Sequence, residues 1–302
     1  MSILTAIGNT PLIELLHVSE NPEVRIFAKL EGSNPGGSVK DRAALFMVQK
    51  AEEEGLLHQG KTILEATSGN TGIALAMIGA AKGYEVTLTM PSCVSVERQN
   101  ILKALGANII LTDGSYGTDG AINKARELFL ENPEKYFMPN QFDNSYNFQA
   151  HYHTTGPEIW KQRNGQLDYF VAGMGTTGTI MGTGRYLKEK NPEIKIIGVE
   201  PPVGHRIQGL KNMKEAIVPK IFSKEQLDEI ITIDDDEAFE MARFLALYEG
   251  VFVGMSSGAA TAGAYRIAQR IDHGIIVIIL PDRGDRYLST SLFKSICAKC
   301  PP

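Results

Sequence analysis

The sequence predicts an open α/β fold with mostly parallel sheets. Three observations carry that prediction. Short apolar runs alternate along the chain with segments of helical length. Several runs are continuous in Ile, Val and Leu, as suits strands buried on both faces of a parallel sheet. Polar, glycine-rich turns follow the runs, at the carboxyl ends where α/β proteins bind ligands.

The elements follow in order. Strands are expected at 25–30, 62–65, 85–90, 108–112, 168–173, 195–200 and 274–280. A helix of small and apolar residues is expected at 73–81. At 118–130, Ala121, Ile122, Ala125, Leu128 and Phe129 share one helical face. At 234–248, Ala238, Met241, Ala242 and Leu245 do the same. Residues 201–225 mix Pro, Gly and charge without a period and read as a long functional loop. The turn-rich MPNQFDNSYN, after the breaker Asn132-Pro133, marks a seam near residue 145. The expected organisation is a smaller α/β domain at 36–145 and a larger one formed by 1–35 plus 146–302.

Composition narrows the function. The 302 residues are 43% hydrophobic and 22% charged with a net charge of −5, which is ordinary globular usage. No long basic run points to nucleic acid. The longest apolar or small stretch, 73–81, is too short to span a membrane. No signal pattern opens the chain, and Cys93, Cys297 and Cys300 cannot form a disulfide framework, so a soluble cytoplasmic protein is expected.

Five turns carry candidate chemistry. In NPGGSVKDR (34–42), a Pro-Gly-Gly turn feeds a helix, with Ser38 as N-cap and Asp41 at the third position. Lys40 then lies in the first turn, where the helix dipole disfavours a cation and lowers the amine's pKa, as a Schiff-base lysine requires; a surface lysine is the plain alternative. TSGNTG (67–72) gathers hydroxyls, an amide and backbone N–H groups at a helix start, suiting an anion or an ordinary cap. Gly173, Gly175 and Gly178 have the G-x-G-x-x-G spacing, and Glu200 ends the next strand, so a dinucleotide-binding oxidoreductase using NAD is one reading. The hydroxyls of Thr176, Thr177 and Thr179 favour a terminal phosphate monoester instead. GMSSGA (254–259) and PDRGDRY (281–287) are further turns, each with a bland reading as a cap or a charged loop. The Cys297–Cys300 pair and His151 with His153 lack further ligands, so no metal is expected.

In combination the motifs are specific. IGNTPL (7–12), NPGGSVKDR (34–42), EATSGNTG (65–72), TTGPEI (154–159), GTTGT (175–179) and SSG (256–258) occur in the order found in the cysteine synthase family, the fold-type II pyridoxal-phosphate enzymes, and the chain resembles that family from Ile7 to about Leu292. DRGDRYLST (282–290) is similar to the B-type branch, the O-acetylserine sulfhydrylase B group. Two features depart from that branch: Pro281 replaces its usual cysteine, and Gly209–Met213 replaces a more basic loop.

The resemblance implies a tryptophan synthase beta-like fold of two open twisted sheets flanked by helices, with pyridoxal 5'-phosphate in the interdomain cleft. It implies that Lys40 carries the cofactor and moves protons at the substrate α-carbon. Asn70 would bond the ring hydroxyl oxygen, Gly175, Thr176, Thr177, Gly178 and Thr179 would cradle the phosphate, and Ser256 would face the pyridine nitrogen. Thr67, Ser68, Asn70 and Thr71, with Gln141, would grip the substrate α-carboxylate. The implied reaction replaces the acetate of O-acetylserine by sulfide, or by thiosulfate to give S-sulfocysteine. Thiosulfate is a dianion that needs a cation, and Lys211, on the loop after Gly209, is the candidate, with Arg206 second. A homodimer is implied. An O-phosphoserine sulfhydrylase or a cystathionine β-synthase-like enzyme is the alternative within the fold.

Overall fold

The structure is a computed structural model of the chain. It describes all residues except 68, 93, 95, 215–217 and 294–302, with the side chains of 96 and 97 also left out. The chain divides into two units, Met1–Ile7 with Asn34–Asn147, and Gly8–Ser33 with Phe148–Pro302. The first seven residues therefore group with the smaller unit, not with the larger one as expected. Their short 3-10 turn Ile3–Ala6 brings Leu4 and Ile7 against the smaller unit's core.

The smaller unit holds a four-stranded parallel sheet in the order β5-β4-β3-β6, formed by β3 (Thr62–Ala66), β4 (Val86–Pro91), β5 (Asn108–Thr112) and β6 (Tyr136–Phe137). Around it lie α1 (Lys40–Glu53), α2 (Asn70–Lys82), α3 (Val96–Ala104) and α4 (Gly117–Glu131). Successive residues of β3 point to opposite faces. Ile63 joins the core made with α1 and α2, whereas Leu64 and Ala66 pack against Ala121 and Ala125 of α4. Gly83 stops α2 in the left-handed region at φ 78°, its N–H bonded to the Gly79 carbonyl, as a C-terminal cap requires.

The larger unit holds a six-stranded sheet in the order β1-β2-β10-β7-β8-β9. Its strands are β1 (Leu12–Leu15), β2 (Val24–Leu30), β7 (Tyr169–Gly173), β8 (Lys195–Glu200), β9 (Glu229–Thr232) and β10 (Gly274–Leu280). Only the β1–β2 pair is antiparallel. The helices are α5 (Ser145–His153), which begins in the smaller unit's segment, α6 (Thr155–Gln162), α7 (Gly178–Lys190), α8 (Asp235–Tyr248) and α9 (Met255–Ala268). Alternation along β10 explains its unbroken apolar run. Ile276, Ile278 and Leu280 join the core with α8 and α9, while Val277 and Ile279 join the core with α6 and α7. Both faces are covered, so no position on the strand favours a polar residue.

A buried ionic cluster anchors the start of this unit. Lys29 on β2 is fully buried, and its Nζ donates to Glu158 Oε2 at 2.7 Å, Gln162 Oε1 at 2.9 Å and the Thr10 carbonyl at 2.7 Å. Glu158 Oε1 in turn accepts the Asn9 N–H at 2.9 Å. The IGNTPL segment thus turns at Gly8 and Asn9, both at positive φ, and is fastened to α6.

Candidate functional site

In the smaller unit, the chemistry-bearing residues lie at the starts of α1 and α2. Lys40 is the first residue of α1 and half-buried. The helix begins one residue later than the Ser38 cap predicts, with Val39 at the cap position and no side-chain cap bond there. Ser38 Oγ still accepts the Lys40 N–H at 3.3 Å. Asp41 reaches back past it, its Oδ2 accepting the Gly36 N–H at 2.6 Å, which ties the Pro-Gly-Gly turn to the helix. Lys40 thus lies in the first turn of α1, at the positive end of the helix dipole.

Asn70 opens α2 and Thr71 follows it. Thr67, Thr71 and Gln141 are buried, and the Thr71 hydroxyl donates to Gln141 Oε1 at 2.7 Å. Thr67 Oγ1 accepts the Gly69 N–H at 3.3 Å. The structure thus brings Thr67, Asn70, Thr71 and Gln141 to one helix start, while Ser68 lies outside the described residues. Gly69 admits a close neighbour: Arg98 Nη1 of α3 is 3.4 Å from where a Cβ at this position would stand, and Arg98 is buried. Sequence reasoning assigned no role to Arg98, which reads as one more polar residue on a surface helix.

Glu65 was also passed over. It sits in the otherwise uncharged β3 and is buried, and desolvation pushes its carboxyl up to about 8. The backbone N–H groups of Asn140, Gln141 and Ala66 favour the charged form and oppose the shift.

In the larger unit, the turn after β7 leads into α7. Thr177 is its N-cap residue and adopts φ 68°, a left-handed conformation rare for a β-branched residue. No side chain caps the helix at this position. Thr177 Oγ1 is buried and meets no hydrogen-bond partner among the described residues. A Cβ at Gly175 would overlap the Gly209 carbonyl oxygen, and one at Gly173 would come within 2.6 Å of Leu210. The 209–211 segment therefore runs against the turn, and the Lys211 N–H donates to the Met174 carbonyl at 2.8 Å. Ser256, buried in the first turn of α9, joins this group: its Oγ lies 3.9 Å from where a Cβ at Gly209 would stand.

Thr179 Oγ1 is 3.3 Å from His151 Nε2, and His151 Nδ1 is 2.9 Å from Thr155 Oγ1. His151 is thus buried behind the turn while His153 is exposed. Glu200 Oε2 accepts the Met213 N–H at 3.2 Å, so this carboxylate holds the 201–213 loop. Arg206 is engaged by Asp235 at 2.9 Å, and Arg283 by Asp285 at 3.0 Å. The buried Asp282 accepts the Tyr287 hydroxyl at 2.6 Å. Among the described residues no group of three or more His, Cys, Asp or Glu is suited to hold a metal, and no helix is long and apolar enough to cross a membrane. Cys297 and Cys300 lie outside those residues.

An uncapped helix start and an unsatisfied buried hydroxyl make a fit for a phosphate group. The family described as Pyridoxal-phosphate dependent enzyme matches residues 3–282. This chain belongs to that family. A cysteine synthase of Aquifex aeolicus is 50% identical over 300 residues, covering 97% of this chain and 92% of the relative. Cysteine synthase B of Escherichia coli is 46% identical over 287 residues, covering 95% and 94%. Among solved structures, a cysteine synthase from Entamoeba histolytica matches with a TM-score of 0.92 and 46% identity, covering 97% of this chain and 90% of that one. As a fold-type II member of the pyridoxal-phosphate family the chain takes pyridoxal 5'-phosphate, and the oxidoreductase reading of Gly173, Gly175 and Gly178 falls away.

Proposed function

We propose that this protein is an O-acetylserine sulfhydrylase, a transferase that makes cysteine from O-acetylserine and sulfide. The observation that carries the reading is the start of α2, where Thr71 and Gln141 join at 2.7 Å beside Asn70 in the unit that also holds Lys40. Hydroxyl, amide and backbone N–H groups at a helix N-terminus suit an amino-acid carboxylate. Similarity to proteins named cysteine synthase supports the sulfur chemistry.

When bound, pyridoxal phosphate withdraws electrons from the substrate α-carbon and so acidifies its hydrogen. Gly175, Thr176, Thr177, Gly178 and Thr179 would hold the phosphate, with the Thr177 hydroxyl supplying a donor. Asn70 would bond the ring hydroxyl oxygen. Ser256 would face the pyridine nitrogen; a serine cannot enforce protonation there as a carboxylate would, which favours prompt departure of a leaving group. Lys40 would hold the cofactor and, once the substrate's amine has displaced its own, would take up the α-proton as acetate leaves with the β-carbon–oxygen bonding pair. Hydrosulfide then bonds to the β-carbon, and Lys40 returns a proton to the α-carbon, in a ping-pong sequence.

The finer reading is B-type: thiosulfate serves beside sulfide, and Lys211 offsets its second charge. Arg206, engaged by Asp235, is a weaker candidate. We read the working form as a cytoplasmic homodimer. Steady-state assays with O-acetylserine or O-phosphoserine, each against sulfide and thiosulfate, test the assignment. Cysteine from O-acetylserine and sulfide is expected. No turnover with that pair, or strong preference for O-phosphoserine, would displace it.

A further inference from the structure

His151 is a buried residue that the proposed mechanism leaves unused. It lies on α5, which carries no Asp, Glu, Lys or Arg. Two glycines let α5 and α6 press close to α7. A Cβ at Gly182 would overlap the Phe148 carbonyl oxygen and come within 2.9 Å of the His151 Cβ, and one at Gly156 would come within 2.8 Å of the Tyr186 side chain. The imidazole therefore stands against the first turn of α7, between two hydroxyls. Its Nδ1 is 2.9 Å from Thr155 Oγ1 at the start of α6, and its Nε2 is 3.3 Å from Thr179 Oγ1 at the start of α7. Among the described residues neither hydroxyl has another hydrogen-bond partner.

Counting donors and acceptors fixes where the ring proton sits. Each threonine hydroxyl has one hydrogen to give, and a neutral imidazole has one N–H and one bare nitrogen. Thr155 is fully buried. Were it to accept from an Nδ1–H, its own hydrogen would be left buried without an acceptor. When it donates to a bare Nδ1, that hydrogen is placed. The ring proton is then on Nε2, whose N–H donates to Thr179 Oγ1. The Thr179 hydrogen is thereby turned away from the ring and left for an acceptor at the start of α7. The same count disfavours a doubly protonated ring. No acidic group of these helices favours one either: residues 178–184 include none, Glu158 is engaged by Lys29, and Glu189 by Arg185.

We propose that His151 is a positioning residue for the cofactor phosphate: held as the Nε2–H tautomer by Thr155, it makes the Thr179 hydroxyl a donor to the anion. This rests on the reading of 175–179 as the phosphate turn. Thr177, whose buried hydroxyl meets no partner among the described residues, supplies a second donor. A hydroxyl that already accepts one hydrogen bond donates its own more strongly, because linked bonds polarise one another. The series Thr155, His151, Thr179 thus sets the direction of each hydrogen in it before a phosphate binds.

Nitrogen NMR of the holoenzyme carrying isotope-labelled histidine reads the tautomer directly, and His151→Gln identifies its signals among those of the six histidines. A protonated Nε2 with a bare Nδ1 is expected at neutral pH. The opposite tautomer, or a proton on both nitrogens, overturns the proposal, and this spectrum needs no variant of the two threonines to fold. Affinity is read with 4'-deoxypyridoxine 5'-phosphate, which lacks the aldehyde and so binds the full-length apoprotein without bonding Lys40. Thr179→Val should weaken it roughly tenfold to a hundredfold, the loss of one charge-assisted hydrogen bond. Thr155→Val lets the ring change tautomer and should weaken it roughly threefold or more, as the competent form becomes a fraction of the population. Thr155→Ser should restore it, and Thr155→Val should add nothing in a Thr179→Val background.

Wild-type affinity in Thr155→Val, or full additivity of the two substitutions, removes the role of His151 and leaves the turn's assignment standing. Weakening by Thr177→Gly with none by Thr179→Val does the same. Unaltered affinity in both Thr177→Gly and Thr179→Val removes the phosphate assignment and this inference with it.

Discussion

The Lys211 N–H donates to the Met174 carbonyl at 2.8 Å. This one bond lays the 209–211 segment along the phosphate turn, where the Gly209 carbonyl fills the space a side chain at Gly175 would need. The loop that carries the proposed donor-binding lysine is thereby set by the backbone of the turn proposed to hold the cofactor phosphate.

Gly175→Ala forces two backbone segments apart, and neither end is a flexible side chain. Overpacking of this kind costs about 1–3 kcal/mol. The urea midpoint should fall accordingly, and bound cofactor after dialysis should drop. An unshifted midpoint would show that the turn and loop yield freely.

Thr177→Gly separates strain from binding. The left-handed φ of Thr177 stores roughly 1 kcal/mol or more, which glycine releases against a comparable entropy cost. The apoprotein should be no less stable than wild type. Cofactor affinity should fall, because a charge-assisted hydrogen bond worth about 1.5–3 kcal/mol is lost. Calorimetry of the apoprotein and cofactor titration measure the two effects separately.

Lys40→Ala should lower kcat for cysteine formation by about a thousandfold or more, the upper part of what a positioned proton carrier contributes. Far-ultraviolet circular dichroism should be unchanged, since Ser38 and Asp41 still organise the start of α1. Turnover within tenfold of wild type would exclude Lys40 as the proton carrier.

Lys211→Ala should raise KM for thiosulfate far more than KM for sulfide, which is small and mostly singly charged. The backbone bond to Met174 survives the substitution, so the loop should keep its place. Equal changes for both donors would end the assignment of Lys211, and absence of S-sulfocysteine from wild type would end the B-type reading.

Glu158→Ala leaves the Lys29 ammonium fully buried without its carboxylate. Breaking a buried pair in this way costs about 3–5 kcal/mol. The double variant Lys29→Met, Glu158→Leu removes both charges and should be less destabilised than the single one. Thermal melts of the three proteins decide it; a harmless single variant would show that water reaches Lys29.

Much of the fold was legible because buried strands advertise themselves. The run at 274–280 has no polar residue, since helices cover both its faces. The strands that went unread are β1, β6 and β9, which lie at sheet edges; Tyr136–Phe137 is two residues long, and Glu229–Thr232 is half-buried. These three show neither a long apolar run nor a clean alternation. At the site, Lys40 and the threonines were visible through their motifs. Glu65 and Arg98 were not, because only burial separates them from ordinary polar residues. The available signal was a lone carboxylate in the strand TILEA.

The position of β10 has a consequence for how the chain is made. It lies between β2 and β7 in the sheet, yet β7 ends at Gly173 and β10 begins only at Gly274. At about 5–20 residues per second on a ribosome, β2 and β7 wait roughly 5–20 s with unpaired edges facing each other. The strand that fills the gap, GIIVIIL, has no charge and no proline, the composition that pairs most readily with a wrong partner. Nascent copies on neighbouring ribosomes thus expose matching edges before the rightful occupant exists. A holdase that shields 24–30 and 169–173 until residue 280 emerges should raise the yield of native protein more than any aid given after release.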